Sequence, residues 1–252
     1  MTMKGRFITV VYSRERDIVQ RDEVPLRKAK RQYVDETVRW SRRVRSYRSA
    51  NGRFKYFAVG ESRGGATVTV IFIHGKNGNR FLGVNDWTFG GNFNRLQNLM
   101  ARNGGVLLTP EFTDFKARGA SDIAALIGEF RQRSPGTKLI VACGSMGAGV
   151  CWHLSEQKQV VALIDGMMLL GGHWNYDYFN TEAFSKHRIP LLFAHGGADS
   201  VYPAKKQADF FKTLLKRAPN YPARFIMFEN GVHGTPIRMV DWRRELNWIM
   251  AQ

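Results

Sequence analysis

The chain has 252 residues, 44% of them hydrophobic, and 38 Lys and Arg against 21 Asp and Glu give it a net charge of +17. That length and apolar content suit one α/β domain with a sizeable core, and no run approaches the roughly 20 apolar residues of a membrane span. The charge is concentrated early: residues 1–60 carry 16 Lys and Arg and 6 Asp and Glu, a net +10, which leaves +7 for the other 192 residues.

Nucleic acid, an anionic membrane face or an acidic partner could each use such a basic segment. No zinc-finger spacing or RNA-binding aromatic signature accompanies it, so the plain reading is a solvated basic face. The opening MTMKGRFITVVYS has an apolar patch shorter than a secretory h-region, which predicts no signal peptide and a cytoplasmic location. Phe7 to Tyr12 suits a strand. Pro25 to Trp40 suits a short basic helix with Tyr33, Val34, Val38 and Trp40 on a ragged apolar face. Residues 1–40 are thus expected to form a basic N-terminal extension, packed on or hanging from a main domain over 41–252.

From Val44 the pattern sharpens. Asn51-Gly52 between two strand-like runs predicts an antiparallel hairpin. Thr67 to Ile73 is a β-branched run suited to a central strand. Helices are expected at 93–102, 121–133, 205–217 and 237–250. Strands are expected at 106–108, 139–142, 167–170, 191–194 and 224–228. This alternation implies a mostly parallel sheet with helices on both faces. Two cysteines, Cys143 and Cys151, fall across a strand end and the next helix. A disulfide needs their Cα atoms within about 7 Å, which that geometry disfavours, so free thiols in a reducing compartment are expected.

Ligands on such sheets gather at the carboxyl ends of the strands. The richest of these ends is Lys138 to Leu154, KLIVACGSMGAGVCWHL. Small residues two before and two after Ser145 permit a very tight strand-to-helix turn that lifts the Ser145 hydroxyl above the sheet. The N–H of Met146 then stands at a helix N-terminus. The segment resembles the nucleophile elbow of the α/β-hydrolases, with Cys143 where that family most often has glycine.

Three further stretches extend the resemblance. After Ile73, His74-Gly75-Lys76-Asn77 is similar to the family's His-Gly oxyanion loop, so an N–H of Lys76 or Asn77 is implied as the second oxyanion donor beside Met146. After the 191–194 strand, His195-Gly196-Gly197-Ala198-Asp199 is similar to the stretch that carries the family's catalytic acid; Tyr202 before Pro203 shifts it slightly. After the 224–228 strand, His233 lies where the family places its general base. The order Ser145, Asp199, His233, each behind its own strand, matches the hydrolase order. Arg118-Gly119-Ala120-Ser121 resembles a structural turn of the same family. The resemblance spans roughly residues 44 to 252.

It implies an α/β-hydrolase fold and a serine hydrolase of the esterase or lipase kind, attacking a small or medium acyl ester through an acyl-enzyme on Ser145. A thioester or amide would use the same machinery. The segment Gly172 to His187, about 16 residues, is too short for a large cap domain. An open site is expected, with His173 and an aromatic wall of Trp174, Tyr176, Tyr178, Phe179 and Phe184 on one side and Trp87 and Phe89 opposite; the same aromatics read almost equally well as core. His74, His153 and His195 are expected to be structural, and Asp165 sits at the wrong strand end to be the acid. Phosphate-loop and dinucleotide spacings are absent, and no cluster has metal-ligand spacing, so no cofactor or metal is expected. Two other classes compete: a non-catalytic binding module of this fold, and a binder of anionic surfaces through the basic N-terminus.

Overall fold

The computed structural model describes residues 5–23 and 27–252. Its elements follow in chain order. The N-terminal part forms β1 (Phe7–Val11), β2 (Asp22–Glu23) and β3 (Lys28–Ala29), then the hairpin β4 (Arg42–Ser49) and β5 (Gly52–Gly60). Alternation begins with β6 (Val68–Ile73), α1 (Thr88–Arg102), β7 (Val106–Pro110), α2 (Ala117–Arg133), β8 (Lys138–Gly144) and α3 (Ala148–Ser155). The remainder is α4 (Lys158–Val161), β9 (Gly166–Leu170), α5 (Glu182–Ser185), β10 (Leu191–Gly196), α6 (Ala204–Arg217), β11 (Ala223–Glu229), α7 (Thr235–Met239) and α8 (Trp242–Met250).

Nine strands form one sheet in the order β1-β11-β10-β9-β8-β6-β7-β5-β4. All neighbours pair in parallel except β5, which runs antiparallel to both β7 and β4. Burial on both faces explains the near-continuous apolar strands. Along β6, Ile71 and Ile73 join the cluster packed by Leu126, Trp152 and Phe210, whereas Val70 and Phe72 join the opposite cluster with Phe93, Leu96 and Leu246. The two-residue side-chain period thus splits one strand between two cores.

The N-terminal segment departs from the expectation in one way. Residues 7–11 form the expected strand, which runs along the edge of the main sheet, pairing Phe7 with Phe225 through Val11 with Glu229. The Phe7 ring stacks on Phe225 at 4.8 Å, which gives the added strand apolar contact as well as its ladder. The basic helix over 25–40 does not form among the described residues of that span. They make β3 and two short 3-10 turns, Arg31–Tyr33 and Arg39–Ser41. Tertiary polar contacts decide this. Asp35 N–H donates to Asn94 Oδ1 (2.9 Å) and the Asp35 carbonyl accepts from the Asn94 and Asn98 amides (both 2.8 Å). Those bonds use backbone groups that a helix would need for itself.

Asp86 anchors the same segment. Its buried carboxylate accepts from Arg39 (2.8 Å), from Arg42 and from Asn94 (2.7 Å). Asp86→Ala would leave the largely covered Arg42 without its carboxylate. The expected cost is about 2–3 kcal/mol, the half-exposed Arg39 adding little, and urea unfolding monitored by tryptophan fluorescence would measure it.

Smaller departures have local causes. The hairpin closes through Ala50 and Asn51, with Ser49 paired to Gly52, so the turn sits one residue earlier than Asn51-Gly52. Asn51 is held there by bonds from its amide to Arg118 O (2.9 Å) and Asp122 Oδ1 (3.0 Å). The single helix expected at 237–250 is two, because Val240 leaves the helical conformation and Asp241, itself extended, accepts from the Arg244 N–H at 3.1 Å.

Cys143 and Cys151 form a disulfide with Cα atoms 6.4 Å apart, which corrects the expectation of free thiols. A 3-10 turn at Ser145–Gly147 joins β8 to α3 and folds the helix back over the strand end. The bend brings two residues eight apart within bridging distance.

Candidate active site

The elements above converge where β6, β8, β10 and β11 end. Ser145 leaves β8 with φ of +52°, a left-handed conformation uncommon for a side-chain-bearing residue. The turn survives because its neighbours are small. A Cβ on Gly147 would lie 2.8 Å from the carbonyls of Ile73 and His74, and one on Gly172 would lie 2.6 Å from Ala148 Cβ. A methyl group at either place has nowhere to go.

Ser145 Oγ lies 2.8 Å from His233 Nε2, and His233 Nδ1 lies 2.8 Å from Asp199 Oδ2. The sequence places these three residues on three separate loops; the fold joins them into one hydrogen-bond chain. Asp199 fixes its direction. Burial works against its ionisation, yet bonds from His195 and His233 and from the N–H groups of Tyr202 (3.0 Å) and Val201 (2.8 Å) outweigh it and hold the carboxyl well below the usual carboxylate range. An ionised carboxylate only accepts, so His233 Nδ1 carries the proton and Nε2 is left to accept from the Ser145 hydroxyl.

His195 does more than hold a turn. It is fully buried, and its Nε2 donates to Tyr202 O at 2.8 Å and faces Asp199 Oδ2 at 3.3 Å. Two acceptors around one nitrogen put the proton on Nε2. His74 is different: its Nδ1–H donates to Gly75 O at 2.9 Å and its ring stacks on Phe112 at 4.6 Å. Burial holds its pKa below the ordinary histidine value against that bond, so it stays neutral at neutral pH.

The loop after β6 reaches the serine. A Cβ on Gly75 would lie 2.8 Å from Ser145 Cβ. Gly78 N–H donates to Gly75 O at 3.0 Å, closing a turn around Lys76 and Asn77, and Asn77 takes φ of +62°. Neither Lys76 nor Asn77 N–H has a hydrogen-bond partner among the described residues. Met146 N–H, in the first turn of the 3-10 segment leading into α3, has no intrahelical acceptor by geometry. Gly75→Ala is expected to push this loop off Ser145. The expected results are a stability loss of about 1–3 kcal/mol in thermal melts and a fall of about tenfold or more in p-nitrophenyl ester turnover.

The pocket residues divide. The His173 ring lies 5.7 Å from that of Tyr202, which lies 5.7 Å from the His233 ring, so His173 borders the hydrogen-bond chain through Tyr202. Trp174 packs against the core and Tyr176 stands against Phe179 and Phe210. Trp87 faces Arg31 and lines a small cleft with Glu23, Lys28 and Ala29, away from the serine. Phe89 is the nearer aromatic, its ring 3.2 Å from where a Cβ on Gly234 would stand. The expected aromatic wall is largely core: Tyr178 and Phe179 are buried among Trp152, Phe210 and Phe184. The sequence pattern gives Tyr202 no role beyond its intrusion before Pro203; the fold sets its ring between those of His173 and His233. Asp165 lies at the far end of the sheet, bound by Arg131 and Lys138.

Searches against family models and against curated proteins return no match. Solved structures do match. A putative α/β-hydrolase of unknown function from Agrobacterium tumefaciens is 18% identical, with a TM-score of 0.58 over 77% of this chain and 88% of that one. A thermostable esterase is 13% identical, with a TM-score of 0.66 over 85% of this chain and 64% of the other. A serine hydrolase without a lid from Xanthomonas campestris is 16% identical, with a TM-score of 0.57 over 86% and 96%. With the strand order and the loops already described, these likenesses give the chain the α/β-hydrolase fold.

Proposed function

We propose that the chain is a serine hydrolase that cleaves a small or medium acyl ester through an acyl-enzyme. The reading rests on the unbroken hydrogen-bond chain from Ser145 through His233 to Asp199. Ser145 Oγ attacks the ester carbonyl carbon as its proton passes to His233 Nε2, and the imidazolium formed is stabilised by Asp199. The tetrahedral oxyanion is held by the N–H of Met146 and that of Lys76 or Asn77. Its collapse breaks the ester C–O bond, and the alcohol leaves with the proton from His233. Water, deprotonated by the same imidazole, then attacks the acyl-enzyme and releases the acid.

The fold neighbours named as esterases, and one named as lacking a lid, support ester substrates and an open site. Turnover of p-nitrophenyl esters of increasing acyl length tests this. Short and medium chains are expected to react best, since among the described residues no cap covers the serine to bury a long acyl chain. No turnover at any length by the folded protein would contradict the proposal. A thioester or amide would use the same residues, and the same assay run on those substrates ranks the three. No helix of the described residues is long and apolar enough to cross a membrane. The disulfide favours an oxidising compartment over the cytoplasm.

A further inference from the structure

A cavity of about 550 Å³ lies apart from the serine and is walled by five arginines: Arg21, Arg95, Arg102, Arg238 and Arg243. None of Ser145, Asp199 or His233 lines it. It sits behind the Phe89–Gly91 turn, where three successive residues take left-handed φ of 50°, 61° and 71°. That turn aims the Gly90 carbonyl at Arg21 Nη2 (3.1 Å). A Cβ on Gly90 would stand 3.0 Å from both Arg21 Nη2 and Arg238 Nη1, so the glycine leaves room for two guanidinium groups side by side.

Carboxylates account for only part of this charge. Arg238 is bound by buried Asp22 at 2.6 Å, and Arg102 at the rim by Asp35. Arg21, Arg95 and Arg243 have no carboxylate within ion-pair distance among the described residues. Arg21 is spent on a carbonyl and the Met239 sulfur, and Arg95 donates to Asn92 Oδ1 at 3.1 Å. The one carboxylate in the wall, Asp241, caps the N–H of Arg244. Arg95 lines the cavity and is exposed to solvent. Partial desolvation, followed by the charges of Arg21 and Arg238, lowers its pKa from the ordinary arginine value.

We infer that this cavity binds a small organic phosphate or diphosphate. Guanidinium forks match phosphate oxygens, and an anion would relieve the repulsion among like charges. Leu99, Met239 and Val240 offer apolar surface to an organic moiety, and the volume falls within the range of small-molecule sites.

The probe is inorganic pyrophosphate, followed by isothermal titration calorimetry on the full chain. Wild type should bind one pyrophosphate, and Arg95→Gln with Arg243→Gln should weaken it about tenfold or more, the usual worth of a charge-assisted bond. Arg43→Gln with Arg45→Gln, on the exposed edge strand β4, should leave affinity unchanged. The Arg243 side chain makes no hydrogen bond among the described residues, so Arg243→Gln alone serves if the double variant does not fold. Absence of saturable binding by wild type, or equal loss in the cavity and edge-strand variants, would overturn the inference. The second result would assign the anion to the basic surface at large.

Discussion

Ser145→Ala should reduce kcat/KM on the best p-nitrophenyl ester by about 10⁴-fold or more, because loss of a triad nucleophile leaves only the oxyanion donors and binding. The fold should barely notice. The side chain lost is one hydroxyl, its partner His233 remains bound to Asp199, and the glycines that make the turn possible are untouched. Thermal melting of the variant should therefore stay within about 0.5 kcal/mol of wild type, the usual range for a substitution that breaks no packing. The combination separates the proposed enzyme from a binding module of the same fold. In a module, neither number would move.

Asp199→Asn should behave differently, losing both turnover and stability. For turnover, an asparagine amide in place of the carboxylate can turn its NH2 toward His233 Nδ1. That would favour the wrong tautomer, and a loss of about 10³–10⁴-fold is expected. For stability, the carboxylate is fully covered and accepts from His195, His233, Val201 and Tyr202. Its folded pKa lies below the unfolded value of about 3.8, so folding is favoured by the ionised form. The stabilisation is complete above the unfolded pKa and is lost as pH falls from about 4 toward the much lower folded value. Wild type should consequently lose more melting temperature than Asp199→Asn as pH is lowered through that window. Parallel acid profiles for the two proteins would show that Asp199 is not ionised by this network.

The order Ser145, Asp199, His233 was legible because it depends on local chemistry. A serine between small residues, a histidine-glycine turn behind a β-branched run and an aspartate behind a buried strand each announce themselves within a few residues. What the sequence concealed depends on distant partners. The span 25–40 looks helical by its apolar spacing, but Asn94, Asn98 and Asp86, some fifty residues on, take up polar groups of its described residues. The Cys143–Cys151 bridge required knowing how sharply the chain bends at Ser145. Aromatic residues after β9 read equally well as wall or core, and only the position of Phe210 on α6 sends Phe179 inward. The arginine cavity draws on residues 21, 95, 102, 238 and 243, which no linear pattern connects.

The most direct test of the central claim is mass spectrometry of the folded protein after treatment with a fluorophosphonate, followed by peptide mapping of the adduct. An activated serine displaces fluoride from phosphorus, so one adduct per chain is expected, on Ser145, and absent when His233 is replaced by alanine. An unmodified protein, or an adduct on another residue, would contradict the account.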